Sequence, residues 1–93
     1  MKEINIFYLT GCPYCKNAKK AVDEILNEDK KFSEIKINWL EENLKSDIAE
    51  KYNYYYVPTI FYGAKKLYEA NPSENYQDIK SNILNALNIV LSD

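Results

Sequence analysis

Ile4, Ile6, Phe7, Tyr8 and Leu9 make a short run that is mostly apolar and aromatic, the look of a strand covered on both faces. Thr10 and Gly11 break it. From Cys12 the period changes: Cys15, Ala18, Val22, Ile25 and Leu26 recur at three and four, while Lys16, Lys19, Lys20, Asp23 and Glu24 take the opposite face. The pattern predicts an amphipathic helix ending near Asn27, with Pro13 in its first turn, where a missing amide hydrogen costs nothing. Ala18, Val22, Ile25 and Leu26 read as ordinary core packing.

After a charged turn at Glu28 to Lys31, apolar Ile35, Ile37 and Trp39 alternate with polar Glu34, Lys36 and Asn38, which predicts a strand over Ser33 to Trp39. Leu44, Ile48 and Tyr52 lie four apart and predict a shorter helix over Asn43 to Tyr52. Val57, Thr59, Ile60, Phe61 and Tyr62 read as a strand, Gly63-Ala64 as a turn, and Lys66 to Glu69 as the returning strand of a hairpin. Pro58 cannot donate a ladder hydrogen bond, so it marks a strand end, an edge or a special peptide bond. Asn71-Pro72-Ser73-Glu74 has the form of a helix start, with a capping side chain, proline at the first position and an acid at the third. Tyr76, Ile79, Ile83, Leu87 and Val90 then trace one apolar face to the C-terminus.

The predicted order is strand, helix, strand, helix, strand, strand, helix, an α/β arrangement. A parallel pair joined by a helical crossover and closed by an antiparallel hairpin is the natural solution. Ninety-three residues suffice for one core and are too few for two, so residues 1–93 are expected to form a single domain.

Composition narrows the chemistry. The chain is 46% hydrophobic and 28% charged, the balance of a globular protein, and its net charge of -2 comes without a basic block. That speaks against nucleic-acid binding. No apolar stretch approaches the length needed to cross a bilayer, and no membrane association is expected. All twelve basic residues are lysines, with no histidine and no arginine, which removes histidine bases, histidine-rich metal sites and bidentate arginine clamps.

The two cysteines, Cys12 and Cys15, are the only ones, and they flank Pro13-Tyr14. A disulfide closing so small a loop gains little by restricting the unfolded chain, so it is better explained as a bond meant to open and close. In the reducing cytoplasm, the expected compartment, cycling disulfides outnumber structural ones. Cys15 belongs to the buried stripe of its helix, whereas Cys12 sits at the N-terminal lip, where free amides and the helix dipole favour a thiolate. These positions predict that Cys12 attacks a target disulfide and that Cys15 displaces the product from the mixed disulfide. A zinc site within the chain lacks ligands, since a structural zinc takes four and, beyond two cysteines, a chain without histidine can offer only Asp or Glu. An iron-sulfur cluster or metal held between two chains by the C-P-Y-C pair stays open as the rival reading.

Cys12-Pro13-Tyr14-Cys15 after a strand, together with Tyr56-Val57-Pro58 before a later one, resembles the glutaredoxin branch of the thioredoxin superfamily. The likeness extends over Ile6-Phe7, Thr10-Gly11 and the order of strands, and so covers most of the chain. It implies the thioredoxin fold, a mixed four-stranded sheet with helices on both faces. It also implies that Cys12 is the nucleophile, Cys15 the resolving thiol, and Pro58 a cis-proline facing the site. Val57 would lend its backbone to the substrate, with Pro13, Tyr14 and Tyr56 bordering it. Tyr52, Tyr54, Tyr55 and Tyr56 could add an aromatic docking wall, although at least half of them are expected to be packing residues.

The chain departs from glutaredoxins where they hold glutathione. Tyr8-Leu9 stands where a basic residue is usual, and Tyr68-Glu69, leading into Ala70-Asn71-Pro72, stands in place of a Gly-Gly pair and a following acid. Glu69 is expected to repel a carboxylate, and the free amides opening the last helix at Pro72 to Asn75 offer only partial compensation. No tightly bound cofactor is expected, and glutathione is expected to bind weakly. The expected partners are protein disulfides and a thioredoxin-reductase-like or other dithiol reductant, met by a monomer.

Overall fold

The computed structural model describes residues 2–93. Strand β1 (Glu3–Tyr8) leads into helix α1 (Pro13–Glu28), and strand β2 (Lys36–Glu41) precedes the short helix α2 (Ser46–Ala49). Strands β3 (Thr59–Tyr62) and β4 (Lys65–Glu69) form the hairpin, and helix α3 (Tyr76–Ser92) closes the chain. The sheet has the order β2-β1-β3-β4. β1 and β2 run parallel with Ile4 opposite Ile37, which requires the α1 crossover between them. β3 runs antiparallel to β1, with Ile6 opposite Ile60, and antiparallel to β4.

Alternation along β1 sends consecutive residues to different cores. Ile4 and Ile6 join Val22 and Ile25 of α1 and Ile79, Ile83 and Leu87 of α3 on one face of the sheet. Phe7 joins Phe61 and Ala49 on the other, with Tyr52, Tyr54 and Val57 packed around them. Helices therefore cover both faces, in the mixed α/β architecture expected. Among the described residues, no helix is long and apolar enough to cross a membrane.

Three expected boundaries are corrected. The strand expected over Ser33 to Trp39 begins only at Lys36 and runs on to Glu41, because residues Lys30–Glu34 form a 3-10 turn. Asp29 caps that turn by accepting the N–H of Lys31 at 3.1 Å, and the turn inserts Phe32 into the α1–α3 core. The helix expected over Asn43 to Tyr52 shrinks to Ser46–Ala49. Glu41 is the cause: its carbonyl accepts the N–H groups of Leu44 and Lys45, and its side chain accepts that of Asn43, so the chain turns before it coils. Leu44, read as part of an apolar stripe, is 80% exposed.

The last helix starts at Tyr76 and not after Asn71. Asn75 accepts the N–H of Asp78, while the Asp78 carboxylate accepts the N–H of Asn75, a reciprocal capping box. Asn71 and Pro72 belong to a preceding turn in which the Asn71 side chain accepts the N–H and hydroxyl of Ser73.

Phe32 is 2% exposed. Its replacement by alanine is expected to cost about 3–5 kcal/mol by cavity formation, whereas Leu44→Ala should stay within about 0.5 kcal/mol of the parent. Urea unfolding of both variants checks the reassignment of residues 30–45, and equal losses would contradict it.

Candidate active site

The turn between β1 and α1 depends on Gly11, which takes φ +85, a conformation open to glycine and strained for residues with a Cβ. The N–H of Cys12 closes the turn onto the Leu9 carbonyl at 3.3 Å. Cys12 then occupies the N-cap position of α1 in extended conformation, and no acidic residue lies in the first helical turn. Cys12 is partly exposed, Cys15 is 5% exposed, and both are free thiols. The helical period has placed one sulfur at the lip and the other behind it.

Burial pushes the Cys15 thiol up from 9.0 to about 12, against the amide of Leu9, whose N–H points at Sγ from 3.4 Å. Neighbouring Cys12 raises it further, through a hydrogen bond and through its charge, and Glu42 adds to the same effect.

The Val57–Pro58 peptide bond is cis. Val57 turns its carbonyl oxygen to within 4.0 Å of Cys12 Sγ, so two segments 45 positions apart meet at the exposed thiol. The far side of this loop is anchored just past the end of β4, where the Pro58 carbonyl accepts the N–H of Ala70 at 3.0 Å. The buried Thr59 hydroxyl donates to the Tyr56 carbonyl.

Glu69 grips the same loop, since its Oε2 accepts the N–H groups of Tyr55 at 2.6 Å and Tyr56 at 2.8 Å. Its Oε1 lies 2.6 Å from the Lys66 ammonium. Burial alone would raise the carboxyl's pKa, but Lys66 and the two amides outweigh it and hold the group below the usual carboxylate range. Glu69 is thus not the free repulsive charge expected from the sequence. Glu41 plays a comparable part at the first turn, accepting the N–H and hydroxyl of Thr10 at 3.3 and 3.1 Å. Its carboxyl is held low by hydrogen bonds from the Asn43 amide and from Thr10.

The other sequence-predicted positions divide. Pro13 is exposed beside Cys12 and Pro58 is buried. Tyr14 is half-buried against the α1–α3 core, with its hydroxyl donating to the Pro72 carbonyl. Tyr52 and Tyr54 pack on Phe7 with ring centroids 4.9 and 5.2 Å away, and are packing residues. Tyr55 and Tyr56 are exposed by 86% and 54%.

The partial compensation expected from the amides of residues 72–75 disappears. The N–H of Ser73 goes to Asn71 Oδ1, that of Glu74 to the Asn71 carbonyl, and that of Asn75 to Asp78. On the other side of Cys12 an open groove of about 810 Å³ is lined by Tyr8, Leu9, Trp39, Lys16 and Lys19. The Lys19 ammonium lies 4.8 Å from the Trp39 ring centroid. Sequence reasoning missed Glu41 as a site residue and took Glu69 for a charge repelling a ligand, not for a brace of the cis-proline loop. The spacing of Lys66 and Glu69 could not reveal their pairing, because residues three apart on a regular strand face opposite ways.

The family model described as Glutaredoxin matches residues 4–67. No match is found among curated proteins. Among solved structures, a malarial protein is similar at 17% identity and TM-score 0.60, over 91% of this chain and 96% of that one. A mutant thioredoxin from Halobacterium salinarum is similar at 16% identity and TM-score 0.57, over 91% of this chain and 74% of that one. The zinc-bound form of human ERp44 gives 19% identity and TM-score 0.59, over 89% of this chain and 26% of that one. At these identities the likeness is one of fold, and the fold is that of thioredoxin.

Because the folded state favours the neutral Cys15 thiol, the stability this contributes is complete below the ordinary pKa of 9.0 and is lost as pH rises toward about 12. Urea unfolding of the reduced protein from pH 9 upward should therefore show a steeper loss in the parent than in Cys15→Ala. Parallel curves would show that Cys15 is not the buried, neutral thiol described.

Proposed function

The chain belongs to the glutaredoxin family, and from that premise we propose that it is a thiol-disulfide oxidoreductase which reduces protein disulfides through a Cys12/Cys15 cycle. Family membership supports oxidoreductase-type chemistry in general. The observation that carries the specific cycle is the partly exposed Cys12 at the head of α1, with the buried Cys15 one turn behind and the Val57 carbonyl 4.0 Å from Sγ.

In the proposed cycle the Cys12 thiolate attacks one sulfur of the target disulfide, and the other target sulfur leaves as a thiolate and takes a proton from solvent. Cys15 then loses its proton and attacks Cys12 Sγ. This forms the Cys12–Cys15 disulfide and releases the second target thiol, so the target gains two electrons and two protons. Cys12 is one of the causes that keep Cys15 protonated. Once Cys12 is tied in a mixed disulfide its charge and its hydrogen bond are gone, and Cys15 becomes easier to ionise at the step that needs its thiolate. Val57 would align the substrate backbone, with Pro13, Tyr14, Tyr56 and Pro58 around it.

The reductant we propose is a thioredoxin-reductase-like partner or another protein dithiol, acting on a monomer in the cytoplasm. Weak use of glutathione is supported by Leu9, which carries no charge, and by the engagement of the amides of residues 73–75 within the chain.

Cys12→Ser is expected to reduce insulin disulfide reduction to background, while Cys15→Ser retains single-thiol exchange and accumulates a mixed disulfide visible on non-reducing gels. Trapping through Cys15 in the Cys12→Ser variant would reverse the assigned roles. Turnover of the oxidised protein should be faster with thioredoxin and its reductase than with glutathione and glutathione reductase. Saturable, efficient turnover with glutathione would overturn the choice of reductant.

A further inference from the structure

β4 is not a regular strand. Its register against β3 steps between Ile60 opposite Tyr68 and Phe61 opposite Lys66, leaving Leu67 as the extra residue of a bulge. Leu67 and Tyr68 both pack on the α1–α3 core, so Lys66 and Glu69 fall together on the opposite face, close enough for their 2.6 Å ion pair.

That face looks onto the segment ahead of the cis-proline. Lys66 Nζ donates to the Asn53 carbonyl at 3.4 Å, and Glu69 Oε2 takes the amides of Tyr55 and Tyr56. Two successive N–H groups converging on one oxygen form a small anion receptor, and a carboxylate from the chain itself fills it. Each amide has one hydrogen to give, and both are used. The next residue is Val57, whose carbonyl faces Cys12.

We propose that Glu69 is a built-in ligand of this two-amide receptor, a positioning residue that holds Tyr55 to Val57 against Cys12 for protein disulfides and denies the receptor to small anionic thiols. The part concerning substrates rests on the thiol-disulfide reading of the site. The part concerning the receptor does not.

The test compares the parent with Glu69→Ala by amide NMR and by kinetics. Titration with sodium acetate should shift the Tyr55 and Tyr56 amide resonances saturably in Glu69→Ala and leave them unmoved in the parent. If the alanine variant does not fold, Glu69→Gln keeps an acceptor oxygen without its charge, and its Tyr55 and Tyr56 amides should exchange about tenfold faster than the parent's. Equal acetate responses in parent and Glu69→Ala, or unchanged exchange in Glu69→Gln, would overturn the receptor. In turnover, Glu69→Ala should raise KM for a protein disulfide several-fold with a smaller change in kcat, and should speed reduction by glutathione. A loss confined to kcat, or no gain with glutathione, would overturn the positioning role. A parent without any disulfide reductase activity would instead reject the redox reading, leaving the acetate result to stand by itself.

Discussion

Ile6 and Phe7 are neighbours in the chain and lie buried in different cores, Ile6 under α1 and α3 and Phe7 under Tyr52, Tyr54 and Phe61. A strand with both faces covered and both edges paired has no freedom to slide, because a slip of one residue would exchange the two sets of side chains. The site inherits that rigidity. β1 delivers Thr10 and Gly11 to a fixed point at the end of the sheet, Gly11 makes the turn, and α1 starts there with Cys12 at its cap. β3 is registered on β1 through Ile60 opposite Ile6, so the cis-proline loop just before β3 arrives at the same end.

With neither arginine nor histidine in the chain, the charges near the thiols are carboxylates and lysines. The structure uses two of the carboxylates as acceptors for backbone amides. Glu41 ties the end of β2 to Thr10 ahead of Cys12, and Glu69 ties the end of β4 to Tyr55 and Tyr56 ahead of Val57. Each strand end therefore braces one of the two segments that meet at Cys12. An ionised carboxylate suits this work because bonds to a charged acceptor are roughly twice as strong as neutral ones.

The same bonds bear on how this glutaredoxin family member differs from the pattern its dithiol resembles. Amides that could receive a ligand carboxylate are satisfied by Glu69, Asn71 and Asp78, all within the chain. On the other side of Cys12 the groove along Tyr8, Leu9 and Trp39, which Lys16 and Lys19 also line, is open and mostly apolar.

Much of this protein is legible in its sequence. Continuous apolar runs placed β1 and the first strand of the hairpin, because a strand covered on both faces needs apolar residues throughout, and recurrence at three and four placed α1 and the buried face of α3, because a helix buries one stripe. The Cys12-Pro13-Tyr14-Cys15 spacing sorted the exposed sulfur from the buried one for the same reason. Where local hydrogen bonds compete with periodicity, the pattern misled. Asp29 and Glu41 turned the chain around Phe32 and Leu44, and Asn75 took the capping role that the sequence pattern assigns to Asn71. The motif likeness named Val57 and Pro58 as facing Cys12, but what brings Val57 there is the register of β3 on β1, which the local sequence does not encode. Tertiary structure also decided what Glu69 does. A bulge that depends on how β4 pairs with β3 puts Lys66 and Glu69 on one face, and no local pattern encodes a displacement that exists only between two strands.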